Sequence, residues 1–133
     1  MSKKNSPAAC PCGSGTPYAG CCQPWHDGLP APTAEQLMRA RYAAYVLERA
    51  AYLLSSWAPA SRPASIDFGS PKPKWLGLTV LRTQSESDQA TVEFVARYRE
   101  GGRAQKMHEI SRFIRADGRW FYLDGQFPDH TAP

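Results

Sequence analysis

The chain has 133 residues, 42% apolar and 11% aromatic, with four Trp and a formal charge of +4. That suits one ordinary domain with a small appendage and a real hydrophobic core, and it excludes global disorder. No run of about 18 apolar residues exists, which excludes a membrane-spanning helix, and a modest positive charge does not point to nucleic acid.

In chain order, Met1 to Ala9 are small and polar and read as a frayed tail. Two lysines with no apolar stretch behind them do not make a secretory leader, so a reducing cytoplasm is the expected compartment. Residues 10–22 then hold all four cysteines, as C-P-C-G-S-G-T-P-Y-A-G-C-C. Residues 23–33 contain three prolines and a glycine and read as an ordered loop or linker.

Thr33 offers an N-cap oxygen and Gln36 completes a capping box. The following residues, rich in Ala, Leu, Arg and Glu and free of Gly and Pro until Pro59, predict helix. Leu37, Met38, Arg41, Tyr45 and either Ala44 or Leu47 fall on one face. Two helices broken near Leu47–Arg49 fit a small domain better than one, and the second would bury Tyr52, Leu53 and Trp57. Residues 58–74 are a proline-bearing loop with room for one short strand at Ser65–Phe68. Strands follow over Trp75–Thr83, Ala90–Arg99, Gln105–Ala116 and Arg119–Asp124, separated by turns at Ser85–Asp88, Gly101-Gly102 and Asp117-Gly118. Val92, Phe94, Ala96 and Tyr98 share one face. Residues 128–133 form a polar tail. Helices followed by antiparallel strands make an α+β domain, with a curved sheet wrapped around the helices.

Four close thiols in a reducing compartment point first to a metal, with a vicinal Cys21–Cys22 disulfide or a redox pair as alternatives. Zinc takes four soft ligands in a tetrahedron. The C-x-C pair supplies two from one turn, Gly13 and Gly15 let the backbone fold tightly, and eight residues separate Cys12 from Cys21. His26, four residues past Cys22, is an alternate fourth ligand. Four protein ligands leave no open position, which makes the ion structural rather than catalytic. Four thiolates and one Zn²⁺ add −4 + 2 = −2, lowering the charge from +4 to +2.

The run Cys10-Pro11-Cys12-Gly13-Ser14-Gly15, then Tyr18, then Cys21-Cys22, resembles the SEC-C motif, a small zinc finger also found at the end of the SecA preprotein-translocation ATPase. That resemblance implies Cys10, Cys12, Cys21 and Cys22 as the ligands, with His26 outside the pattern. With L-M-R-A-R-Y at 37–42, W-L-G-L at 75–78, H-E-I-S-R-F at 108–113 and G-R-W-F-Y-L-D-G at 118–125, the chain looks like a YchJ-type SEC-C protein. The implied architecture is an NTF2-like (cystatin-like) cone over residues 33–133, preceded by a zinc-binding segment and linker at 1–32. It implies no reaction.

NTF2-like cones often hold a cavity, so strand parity matters. Met107, Glu109, Ser111 and Phe113 share one face; His108, Ile110, Arg112 and Ile114 share the other. Arg41, Tyr42, Glu109 and Ser111 are pocket candidates, with an Arg41–Glu109 pair expected to neutralise both charges. Glu109 and Asp124, the latter placed beside Trp120 and Tyr122, are the candidate general bases. His26 and His130 lie in loop and tail. No nucleotide-binding motif is present, and the Arg97-Tyr98-Arg99 string reads as a solvated sheet face. The function expected is a zinc-stabilised interaction module docking to a protein or ribosome-associated partner. The alternatives are an NTF2-like enzyme on a small molecule held in the cone, and an RNA binder.

Overall fold

The computed structural model describes residues 9–128; the lysine-bearing start of the chain and its polar end, His130 included, lie outside them. After the cysteines come a 3-10 turn at Tyr18–Gly20 and a single helical turn, α1 (Gln23–His26). The main helices are α2 (Ala34–Leu47) and α3 (Ala50–Ser55). Four strands follow: β1 (Lys74–Glu86), β2 (Gln89–Glu100), β3 (Arg103–Ala116) and β4 (Arg119–Gln126). They form an antiparallel meander in the order β1-β2-β3-β4, and α2 lies across its inner face, touching β1, β2 and β4.

Thr33 caps α2 as expected, its Oγ1 accepting the Gln36 N–H at 3.1 Å. The break comes at Glu48, in the left-handed region at φ 58°, and Arg49 N–H closes the last turn onto Ala44. Helix α2 is buried around most of its circumference, with Ala34, Leu37, Met38, Ala40, Arg41, Tyr42, Ala43 and Ala44 all inside. Its Met38–Tyr42 side faces the sheet, and its Arg39–Ala40 side meets the cysteine segment. Leu47 is exposed, so Ala44 completes the buried face. Leu53 is buried in α3. Trp57 lies past its end, where residues 56–58 run beside β4: Tyr122 N–H bonds Ser56 O at 2.9 Å and Ala58 N–H bonds Tyr122 O at 2.7 Å. That segment covers part of the β4 edge. Ser65–Phe68 forms no strand; it lies in the loop between α3 and β1, with Gly69 N–H turned back onto Asp67 Oδ1 at 2.8 Å.

Strand β2 alternates as predicted, with Ala90, Val92, Phe94 and Ala96 buried and Tyr98 half-buried. The strands run longer than their apolar cores, β1 to Glu86 and β4 to Gln126. Strand β1 carries two bulges, one between Trp75 and Gly77 and one between Val80 and Arg82. The extra residues are Leu76 and Leu81, both exposed, at 44% and 52%. The first bulge sets Leu78 and Val80 opposite the buried Ala96 and Phe94, and both bulges bend the strand. Apolar residues from helices and sheet close one core, which includes Cys10, Cys12 and Cys22.

Candidate functional site

The cysteine segment is organised by its own backbone. Cys10 N–H bonds Thr16 O at 3.0 Å, and Gly13 N–H bonds Cys10 O at 3.1 Å. Gly13 and Gly15 hold φ of 82° and 86°, where a Cβ would be strained. The loop thereby returns Cys21 and Cys22 to the C-x-C turn. All four sulfurs lie within 4.8 Å of one another. The Cys12–Cys21 and Cys21–Cys22 sulfurs are 3.6 and 3.9 Å apart, against about 3.8 Å for the edges of a tetrahedral Zn–S site. The donor set therefore fits a tetrahedral soft metal. No cysteine is in a disulfide.

Without a cation the thiols compete for charge. Cys12 is lowered to about 4 by a hydrogen bond from Cys22, with further help from Ser14. Burial raises Cys10 to about 11, and the bond that Cys22 gives to Cys12 pushes its own thiol up. A buried cluster that cannot carry several negative charges alone is one whose deprotonation a cation would complete.

His26 does not join this cluster. Its Nδ1 meets the Tyr18 hydroxyl at 2.6 Å and its Nε2 the Ala40 carbonyl at 2.8 Å. A carbonyl only accepts, so Nε2 carries the proton and Nδ1 accepts from Tyr18. Arg49 in turn donates to the Tyr18 oxygen at 3.2 Å. With both nitrogens engaged, His26 anchors the segment to α2, as does Arg39, which donates to Cys12 O at 3.0 Å.

Behind α2 the sheet encloses a cavity of about 340 Å³. The pocket candidates, Glu109 and Ser111 from strand parity and Arg41 and Tyr42 from the helix, all line it. Tyr45, Trp57, Trp75, Phe94, Met107, Phe113 and Tyr122 supply most of its apolar wall. A more open hollow of about 700 Å³ near the β1–β2 turn has two charged lining residues, Glu86 and Arg112, both exposed.

The expected Arg41–Glu109 ion pair does not form. Arg41 spends Nη1 on Leu53 O at 2.9 Å and Ser56 Oγ at 2.6 Å, where the end of α3 presents both. Its guanidinium lies 4.9 Å from the Trp57 ring centre and 4.5 Å from that of Tyr122. Glu109 accepts through Oε2 from Ser111 at 2.8 Å and Tyr122 at 2.9 Å. Tyr122 touches both groups, its ring beside Arg41 and its hydroxyl on Glu109.

Asp124 is not in the cavity. The β3–β4 register passes from Phe113–Tyr122 to Arg112–Asp124, so Leu123 is an extra residue and the parity of β4 reverses there. Asp124 instead pairs with Arg112 at 2.6 Å on the outer face, half exposed. The same bulge turns Gly125 inward opposite Ser111. A Cβ there would overlap the Glu109 carboxylate, its Cδ only 2.7 Å away. A glycine inside a strand pattern is the one local signal that could have marked this approach. Nothing local marks Trp57 or Tyr122 as a wall around Arg41. His108 sits on the outer face, 2.7 Å from Glu93.

Burial raises the Glu109 carboxyl above its ordinary value, against the lowering influence of Ser111, Tyr122 and Arg41; Asp124 adds a small raising effect. A carboxyl raised on folding is stabilising below its unfolded pKa, and that contribution is lost as pH rises through the folded value. Relative to Glu109→Gln, the wild type should therefore lose stability as pH climbs above about 4.5. Urea unfolding of both proteins across this range reads the difference. A difference that is flat, or grows in favour of wild type with pH, contradicts the assignment.

An α+β cone with a cysteine cluster fastened to its first long helix is the architecture of SEC-C proteins with an NTF2-like domain. Residues 33–125 match the family model described as YchJ, middle NTF2-like domain. A UPF0225 protein of Bordetella parapertussis is 50% identical over 125 residues, covering 91% of this chain and 94% of its own length. Another from Ralstonia nicotianae is 53% identical over 131 residues, covering 89% and 90%. The solution structure of a SEC-C motif protein from Rhodopseudomonas palustris superposes with TM-score 0.80 at 38% identity, covering 89% of this chain and 97% of that one. A crystal structure from Psychrobacter arcticus, also of a SEC-C motif protein, gives 0.72 at 33%, covering 86% and 80%. The chain belongs to the YchJ family of UPF0225 proteins. Among the described residues no helix is long and apolar enough to cross a membrane.

Proposed function

We propose that this protein is a zinc-structured module that binds a small molecule. Cys10, Cys12, Cys21 and Cys22 hold one Zn²⁺ in a closed shell, since four thiolates in a tetrahedron favour zinc over harder ions. The metal organises residues 10–32, and the cone that begins at residue 33 carries the ligand. A reducing cytoplasm keeps the thiols available. The exposed Gly13–Pro17 rim is the surface through which the finger would meet a protein partner, as the SEC-C resemblance implies.

The observation that carries the reading is the cavity: about 340 Å³ of largely apolar space around a buried guanidinium and carboxyl. A domain serving only as a scaffold would fill such a volume with side chains. Zinc-loaded full-length protein, titrated with small neutral, anionic and cationic aromatics, should show NMR shifts at the Trp57 indole and Met107 methyl. A panel that moves neither group at millimolar concentration overturns the reading.

The buried Glu109 also favours a second reading, in which this carboxyl moves a proton on a bound small molecule. In that case Glu109→Gln would abolish turnover of a bound compound without abolishing its binding.

A further inference from the structure

The polar groups of the cavity are unequal in what they leave unspent. Arg41 is only 6% exposed, yet among the described residues it has no carboxylate partner. Both protons of Nη1 are used, on Leu53 O and Ser56 Oγ, while Nε and Nη2 donate to nothing among the described residues. The adjoining Trp57 Nε1 is a buried donor without an acceptor. Trp57 Nε1 thus has a hydrogen with nowhere to go, a condition that is costly in a closed protein, and the unspent edge of Arg41 lines the cavity beside it.

On the other side of the account stands Glu109, whose Oε1 is also unused. The two charges are not equivalent. A guanidinium stays protonated at any pH the protein experiences, whereas burial already favours the neutral form of the Glu109 carboxyl. The positive charge is therefore the fixed one, while burial pulls the carboxyl toward neutrality. A cation entering would meet the Arg41 charge at close quarters; an anion would give that charge its missing partner. A planar carboxylate matches the free edge of the guanidinium, which can donate two parallel N–H bonds. The rest of the wall, Phe94, Met107, Phe113 and Trp75, demands an apolar body. The volume lies at the small end of the roughly 300–1,000 Å³ usual for ligand pockets.

We propose that the cone binds a small monocarboxylate with an apolar, preferably aromatic, body, its carboxylate held by the free edge of Arg41 between Trp57 and Tyr122. This rests on the small-molecule reading above and specifies its ligand class.

The test is a charge series of one shape: phenylacetate, 2-phenylethanol and 2-phenylethylammonium, titrated into zinc-loaded full-length protein and followed at the Trp57 indole resonance. Phenylacetate should bind at least tenfold tighter than the alcohol, with the ammonium compound weakest. Arg41→Lys, which keeps the charge and loses the fork, should remove most of that tenfold preference. Should that variant misfold, the wild-type series decides the matter alone. Equal binding of all three, or a preference for the ammonium compound, overturns the carboxylate assignment while leaving a binding cavity in place. If none of the three binds, the cavity reading falls together with it.

Discussion

Cys12→Ser should lose the metal and more than about 4 kcal/mol of stability, at the exceptional end for one substitution. Cys12 is fully buried, and its carbonyl takes the Arg39 bond that ties the segment to α2. Serine is a poor ligand for a soft metal, and removing one of four ligands leaves buried thiols with no cation to neutralise them. The damage reaches beyond the finger because Cys10, Cys12 and Cys22 are packed in the same core as Leu37, Val92 and Phe113. Metal analysis should find about one zinc per wild-type chain and none in the variant, and urea unfolding should report the stability loss. A variant that keeps one zinc, or wild type that carries none, contradicts the closed site.

Gly125→Ala is the second large effect, for an unrelated reason. The new methyl would overlap the Glu109 carboxylate, which cannot move aside cheaply. Ser111 and Tyr122 both donate to its Oε2, and leaving such a hydroxyl without its acceptor costs about 1–3 kcal/mol. Displacing the carboxylate should cost roughly 3 kcal/mol in total. Adding Glu109→Ala to Gly125→Ala should return part of that loss, because the clash disappears with the side chain. Additive single and double variants in thermal unfolding would show that Gly125 and Glu109 do not touch.

The two sites were legible to different degrees. The cysteine cluster was almost entirely so, because its four thiols lie within thirteen residues and the loop joining them is set by local turns. His26 looked equivalent by spacing; its exclusion comes from Tyr18 and the Ala40 carbonyl, and the latter belongs to a helix fourteen residues away. In the cone, simple alternation along β3 placed Glu109 and Ser111 inward. It failed for Asp124 and Gly125, since the bulge at Leu123 is a property of two paired strands and not of either one. Arg41 was found, but its partners were not: Leu53 O and Ser56 Oγ converge on it only because the chain breaks at Glu48 and folds α3 back.

Local chemistry was thus enough to establish the helix cap, the strand alternation, the hairpin turns and a four-cysteine cluster, each depending on residues a few positions apart. Which groups in the cone remain unsatisfied was settled elsewhere. The aromatic pair that flanks Arg41 is assembled from β4 and the segment beside it, brought together by backbone bonds between residues 56–58 and Tyr122. A buried charge keeps or lacks a partner according to what packs around it, and that packing exists only once distant segments have met.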